Sequence, residues 1–204
     1  PRPDSEWLVE TAYELVSGQI RQTHGEQAIE LSVLDTCTGS GCIGISLAVR
    51  LQNNGCPCQL TLIDHDPNAL KWARRNVRRH GLAPKAVISQ ADLFDPAVPG
   101  PFDLIVANPP YIESAQIRQL MPEVSRYEPA GALDGGPDGL SFYRRLTREA
   151  FRYLKPDGWL IVEHGYNQAQ AVSDILEKQG YAVLPTRFDY GGNPRVCAGR
   201  RLPI

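Results

Sequence analysis

The 204 residues fit one large domain, because a single hydrophobic core rarely grows past ~250–300 residues. With 42% hydrophobic and 22% charged residues, the composition is that of an ordinary soluble globular protein, and no apolar run approaches the ~18–20 residues that span a bilayer, so no membrane role is expected. Basic and acidic side chains number 21 and 23, a net charge of −2, so the field that draws proteins onto phosphate backbones is missing and direct nucleic-acid binding is not expected.

The chain opens at Pro1-Arg2-Pro3 without an initiator Met, which predicts a fragment or processed form with a preceding domain missing. Helical apolar spacing at Leu8, Ala12, Leu15 and Val16 then marks a helix over 5–21. A buried strand over 31–35 leads through a glycine-rich turn into a helix over 43–51. A second strand over 60–64 is followed by a helix over 67–80, with Pro67 in its first turn, where proline is tolerated, and Asp66 placed to cap it. Strands over 86–89 and 102–107 follow, the latter apolar except at Asp103, as parallel strands largely are.

Leu140, Tyr143, Leu146, Ala150, Phe151 and Leu154 recur at helical spacing, and Pro156-Asp157-Gly158 turns the chain into a strand over 159–163. A helix over 168–178 stops at Gly180, and strands over 181–186 and 195–199 close the pattern as an antiparallel hairpin at the sheet edge. Alternating strands and helices predict an α/β fold: a Rossmann-like, doubly wound, mostly parallel seven-stranded sheet. Cys37, Cys42, Cys56, Cys58 and Cys197 are odd in number and lack CxxC spacing, which argues against a disulfide framework and a zinc site, and Cys56-Pro57-Cys58 reads as a loop. With no signal peptide, a reducing cytoplasmic compartment is expected.

The first strand runs into Asp35-Thr36-Cys37-Thr38-Gly39-Ser40-Gly41, where glycines permit a sharp turn and the following helix offers free N–H groups. A nucleotide-like cofactor fits there, although such turns also arise for packing. Asp64, ending the second strand, sits like the acid that binds ribose hydroxyls in a dinucleotide-binding unit. Asp92 is a candidate acceptor for an adenine amino group, and Leu93 for packing on the ring. Their plainer reading is a turn acid and a core residue. Asp35 is read as bonding the loop or orienting the cofactor's amino group. No P-loop lysine is present, which excludes that class of NTPase, whereas a dehydrogenase stays open on these residues alone.

The fourth strand ends in Asn108-Pro109-Pro110-Tyr111, at the carboxyl edge where open α/β sheets bind ligands. Two prolines remove two N–H donors and stiffen the chain, leaving the Asn108 amide and neighbouring carbonyls as an acceptor cluster. Such a cluster suits a planar NH₂ group, whose two N–H bonds the Asn108 side-chain oxygen and the Pro109 carbonyl accept. The nitrogen is then oriented toward an electrophilic methyl, with Tyr111 lying against the planar group. No metal is required.

Together these features resemble the class I S-adenosylmethionine-dependent methyltransferases, and the rest of the chain resembles one branch, the peptide chain release factor N5-glutamine methyltransferases. Pro1-Arg2-Pro3 with Glu6 is similar to that family's PRPxTE segment, with Asp4 and Ser5 in place of its usual Glu and Thr. Tyr127-Glu128-Pro129, Ala132-Leu133, Gly135-Gly136 and Asp138-Gly139-Leu140 match the stretch after its NPPY motif. Glu163, Gly165 and Gln168 match its E-x-G-x-x-Q, and Asp189, Gly192 and Arg195-Val196 match its C-terminal hairpin.

The resemblance implies S-adenosyl-L-methionine as cofactor, with S-adenosyl-L-homocysteine as product. It places cofactor contacts along Cys37, Thr38, Gly39, Ser40 and Gly41, with Asp64, Leu93 and Asn108. It implies a substrate glutamine, from the Gly-Gly-Gln loop of a release factor, held by Asn108, Pro109, Pro110 and Tyr111. It divides the chain into a helical segment at 1–24 and a catalytic domain at 25–204, without the family's N-terminal helical substrate-binding domain. The rival readings are a DNA or RNA amino-group methyltransferase, a non-catalytic cofactor-binding module and an NAD-dependent enzyme. Base methylation predicts a basic groove, but the only dense basic run, Lys71, Arg74, Arg75, Arg78 and Arg79, reads as a solvated helix face.

Overall fold

The computed structural model describes residues 3–24, 29–98, 100–119 and 129–203, so Pro1-Arg2 and Tyr127-Glu128 of the motif matches lie outside the described residues. Helix α1 (Pro3–His24) precedes β1 (Leu31–Thr36), α2 (Cys42–Asn53), β2 (Cys58–Asp64), α3 (Pro67–Arg79), β3 (Ala86–Gln90) and β4 (Phe102–Ala107). After them come α4 (Ser141–Tyr153), β5 (Leu154–Glu163), α5 (Ala169–Lys178), β6 (Tyr181–Val183), β7 (Arg187–Phe188) and β8 (Pro194–Arg201).

The eight strands among the described residues join one sheet in the order β3-β2-β1-β4-β5-β8-β6, with the short β7 pairing to β8. The first five strands run parallel, whereas β8 is antiparallel to both β5 and β6. This is the expected doubly wound, mostly parallel sheet with an antiparallel C-terminal hairpin, β6 and β8, at its edge; a first correction is that residues 181–186 do not form a single strand. The chain leaves β6 after Val183 and pairs again briefly as β7, so the sheet has eight strands among the described residues instead of seven, and within the edge hairpin β8 lies between β5 and β6.

A second correction concerns Pro156-Asp157-Gly158. The structure places them inside β5, because Leu154 already pairs with Phe102 while Trp159 pairs with Leu104. Four residues of β5 therefore stand opposite the single Asp103, and Asp157 absorbs the excess at φ 66. The sequence shows a turn and the sheet makes a bulge of it, the usual solution when one strand carries extra residues.

Parallel strands buried on both faces need apolar side chains at every position, and β4 and β5 supply them alternately. Leu104, Val106, Trp159 and Ile161 face a core built with α1, α2 and α3, to which Leu8, Ala12, Val16, Leu47, Leu51, Leu70 and Val77 contribute. Ile105, Ala107, Leu160 and Val162 face the other core, with Tyr143, Leu146 and Ala150 of α4 and Val172 and Leu176 of α5. The Asp66 carboxylate accepts the Asn68 N–H at 2.8 Å and caps α3 as expected. The basic residues of α3 lie on its exposed face, opposite Leu70, Ala73 and Val77. Gln19 ties α1 to β5, accepting from Trp159 Nε1 at 2.6 Å and donating to the Asp157 carbonyl at 3.2 Å.

Candidate active site

The strand order reverses between β1 and β4: from β1 the chain proceeds to β2 on one side, while β4 lies on the other. At such a switch point the loops leaving the carboxyl ends of the two strands diverge and open a crevice. The loop leaving β1 is drawn toward β2, since Thr38 N–H donates to the Ile63 carbonyl at 3.0 Å and Gly39 N–H to Asp64 Oδ2 at 2.7 Å. Asp64 Oδ1 accepts the Asp66 N–H at 2.9 Å. A carboxylate has about four acceptor positions, so this nearly buried group keeps capacity for further donors. Cys37 holds φ 55, a left-handed value that a non-glycine residue adopts only when its surroundings enforce it.

Asp35 lies fully buried beneath this loop. Its Oδ2 accepts the Thr38 hydroxyl at 2.6 Å and the Gly44 N–H at 2.9 Å, whereas Oδ1 is buried without a hydrogen-bond partner among the described residues. Burial pushes the carboxyl up to about 7, against the opposing pull of the Thr38 and Gly44 bonds, and the nearby Asp64 charge raises it further. Burial also raises the Cys37 thiol far above its ordinary range, which disfavours the thiolate.

From β4 the chain enters Asn108-Pro109-Pro110-Tyr111, with both prolines buried. Loop 37–40 and Asn108, Pro109 and Tyr111 meet around a cavity of about 230 Å³, which Ser5, Cys42, Ile43, Ile112, Ala132 and Leu133 complete. Asp35, Gly41, Asp64, Asp92, Leu93 and Pro110 are not among its lining residues. Asp92 projects to the surface and pairs with Arg145 at 2.7 Å, while Leu93 is buried in the α4 and α5 core at φ 68. Ser5 was not singled out as a site residue by sequence reasoning, and its one signal was a hydroxyl-bearing position in the PRPxTE-like segment.

The far end of the segment is fixed by neighbours. Gln168 Nε2 donates to the Tyr111 carbonyl at 2.9 Å and to the Gly139 carbonyl at 3.3 Å, while its Oε1 accepts the Gly165 N–H at 3.0 Å. Ile112 N–H donates to Leu133 and Gly135 N–H to Ile112, at 3.0 and 2.8 Å. A Cβ on Gly139 would stand 2.5 Å from the Tyr111 carbonyl oxygen, so the residue must be glycine for the chain to pass there.

The methyltransferase small domain model matches residues 19–125, just over half of the chain. A release factor glutamine methyltransferase of Geobacter sulfurreducens is 41% identical over 200 residues, covering 98% of this chain and 64% of that relative. One of Clostridium acetobutylicum is 38% identical over 203 residues, covering 98% and 67%. The chain belongs to the release factor glutamine methyltransferase family. It spans about two thirds of the length of these curated relatives. A crystal structure of a Pyrococcus furiosus methyltransferase superposes with a TM-score of 0.64 at 23% identity, covering 93% of this chain and 83% of that one, which establishes the shared fold.

The family's motifs acquire physical reasons here. Gln168 of E-x-G-x-x-Q pins Tyr111, and Gly139 lets the chain pass beside the Tyr111 carbonyl. Glu163, buried at the end of β5, accepts the Ser5 hydroxyl at 2.7 Å. Asp189 gathers the Gly191 and Asn193 N–H groups and Arg195 Nε, which hold its carboxyl down at about 2 and organise the turn between β7 and β8. The site also fits the family's cofactor. The orphaned Asp35 Oδ1 calls for a donor such as an amino group, and Asp64 has acceptor capacity for hydroxyls.

Proposed function

We propose that the chain transfers a methyl group from S-adenosyl-L-methionine to the side-chain amide nitrogen, N5, of a glutamine in the Gly-Gly-Gln loop of a peptide chain release factor. The observation that carries this reading is the meeting of loop 37–40 with Asn108, Pro109 and Tyr111 around one cavity at the switch point. The cofactor, when bound, supplies an electrophilic methyl on a sulfonium centre. Loop 37–41 would bind and orient it, held from beneath by Asp35 through Thr38 and Gly44, with Asp64 taking the ribose hydroxyls.

An amide nitrogen is a weak nucleophile because its lone pair is delocalised, so the site's task is orientation. Asn108 Oδ1 and the Pro109 carbonyl accept the two N–H bonds of the glutamine amide and favour pyramidalisation toward the methyl. Tyr111 lies against the planar amide, and its ring face tolerates the positive charge that grows on nitrogen. One N–C bond would form as the S–C bond breaks, the sulfonium leaving as the neutral thioether of S-adenosyl-L-homocysteine, and the nitrogen would give up one proton to solvent. The curated relatives' names support the substrate, since each names a release factor glutamine as the target.

No helix among the described residues is long and apolar enough to cross a membrane, and all five cysteines are unpaired. Five free thiols suit a reducing compartment, and we place the reaction in the cytoplasm. Incubation with labelled cofactor and either release factor or an adenine-containing oligonucleotide tests the reading. Label is expected in the factor, and label in the oligonucleotide alone would replace the proposal with base methylation.

A further inference from the structure

We propose that Ser5 and Glu163 are positioning residues that set the orientation of the Asn108 amide, an inference that rests on the proposed methyl transfer to an amide. Three groups from distant parts of the chain form a line: Glu163 Oε2 accepts the Ser5 hydroxyl at 2.7 Å, and Ser5 Oγ lies 3.4 Å from Asn108 Nδ2. Ser5 is 103 residues from Asn108 and 158 from Glu163, and only the packing of α1 across the ends of β4 and β5 brings them together.

A serine hydroxyl has one proton. Once it is donated to Glu163, the oxygen facing Asn108 has only lone pairs to offer. The Asn108 amide must then present its NH₂ to Ser5, because its oxygen in the same place would set acceptor against acceptor. Oδ1 is left as the acceptor for the cavity that Asn108 and Ser5 both line. That atom is the one the reaction needs for the substrate N–H. The 3.4 Å contact is long for a hydrogen bond, as catalytic contacts commonly are outside the Michaelis complex.

Glu163 is itself held in place. Tyr143 of α4 donates its hydroxyl to the Glu163 backbone carbonyl at 2.8 Å, fixing the end of β5. Glu163 and Ser5 are 2% and 3% exposed, and a carboxylate at that depth is a costly group for packing alone. The line therefore runs from a rigid strand end, through one hydroxyl, to the amide that meets substrate.

The test is steady-state methylation of a release factor by the wild type, Ser5→Ala, Ser5→Cys and Ser5→Thr, with cofactor Kd and Tm measured on each. Cysteine keeps the size of serine but is a weak donor, whereas threonine keeps the hydroxyl. Orientation by the relay predicts that Ser5→Ala and Ser5→Cys lower kcat by about 10–100-fold, the usual penalty for removing a supporting hydrogen bond. Cofactor Kd should stay within about threefold, and Ser5→Thr should restore kcat to within about threefold of wild type. Full kcat in Ser5→Ala or Ser5→Cys overturns the relay, as does a Ser5→Thr variant that folds yet is as slow as Ser5→Cys. A wild-type chain that methylates no amide would instead overturn the reading of the site itself, and the relay with it.

Discussion

Gln168 reaches across from the loop after β5 to place its Nε2 2.9 Å from the Tyr111 carbonyl oxygen, while its Oε1 accepts the Gly165 N–H at 3.0 Å. One side chain thereby closes the end of the Asn108-Pro109-Pro110-Tyr111 segment against the sheet. Replacing it by alanine leaves the Tyr111 carbonyl and the Gly165 N–H without this partner. We expect Gln168→Ala to lower unfolding free energy by about 1–3 kcal/mol in urea titration and to reduce kcat more than cofactor affinity.

Gly139 makes a sharper case, because its φ of 70 and the 2.5 Å distance from an added Cβ to the Tyr111 oxygen leave alanine no place to go. Gly139→Ala is expected to displace Tyr111, costing about 1–3 kcal/mol of stability for the backbone strain. Methyl transfer should fall by an order of magnitude or more at unchanged cofactor concentration. Wild-type turnover would show that the Tyr111 position does not matter to the reaction.

For Asp64 the expected loss lies in binding. Its Oδ2 holds the Gly39 N–H and thus the shape of loop 37–40, and we propose that its remaining lone pairs take ribose hydroxyls. Calorimetry of Asp64→Ala should show cofactor affinity weakened by about 10-fold or more, the equivalent of one or two charge-assisted hydrogen bonds. Wild-type affinity would remove Asp64 from the cofactor site.

Asp35 gives stability a pH dependence of defined sign. Burial raises its carboxyl from an ordinary 3.8 to about 7, so the folded chain holds this proton more tightly than the unfolded chain. The contribution is fully present below the unfolded value and is lost as pH rises through about 7. Urea midpoints should therefore include a component that falls between pH 4 and 7, and Asp35→Asn should remove it. A wild-type profile that Asp35→Asn leaves unchanged would contradict the buried, proton-binding carboxyl.

The strands were legible because parallel strands covered on both faces are largely apolar, and β4 is apolar at every position except Asp103. What the sequence could not show was pairing. That Leu154 pairs with Phe102, making a bulge of Pro156-Asp157-Gly158, depends on a strand some fifty residues earlier, as does the insertion of β8 between β5 and β6 on strands far away in the chain. The site divides the same way. Loop 37–41 and Asn108-Pro109-Pro110-Tyr111 announced themselves through local backbone chemistry, glycine and proline at strand ends. Ser5 beside Asn108, and Arg145 on Asp92, are long-range contacts of ordinary polar residues, with no local signature.

The central claim is that Asn108 orients a glutamine amide for methylation, and fragment mass spectrometry of release factor after incubation with S-adenosyl-L-methionine tests it most directly. The wild-type chain should add ~14 Da, one N–H becoming N–CH₃, to the side chain of the glutamine in the Gly-Gly-Gln loop, and Asn108→Ala should abolish that addition while cofactor binding persists. The same modification produced equally fast by Asn108→Ala, or a methyl group found at another residue type, would contradict the account.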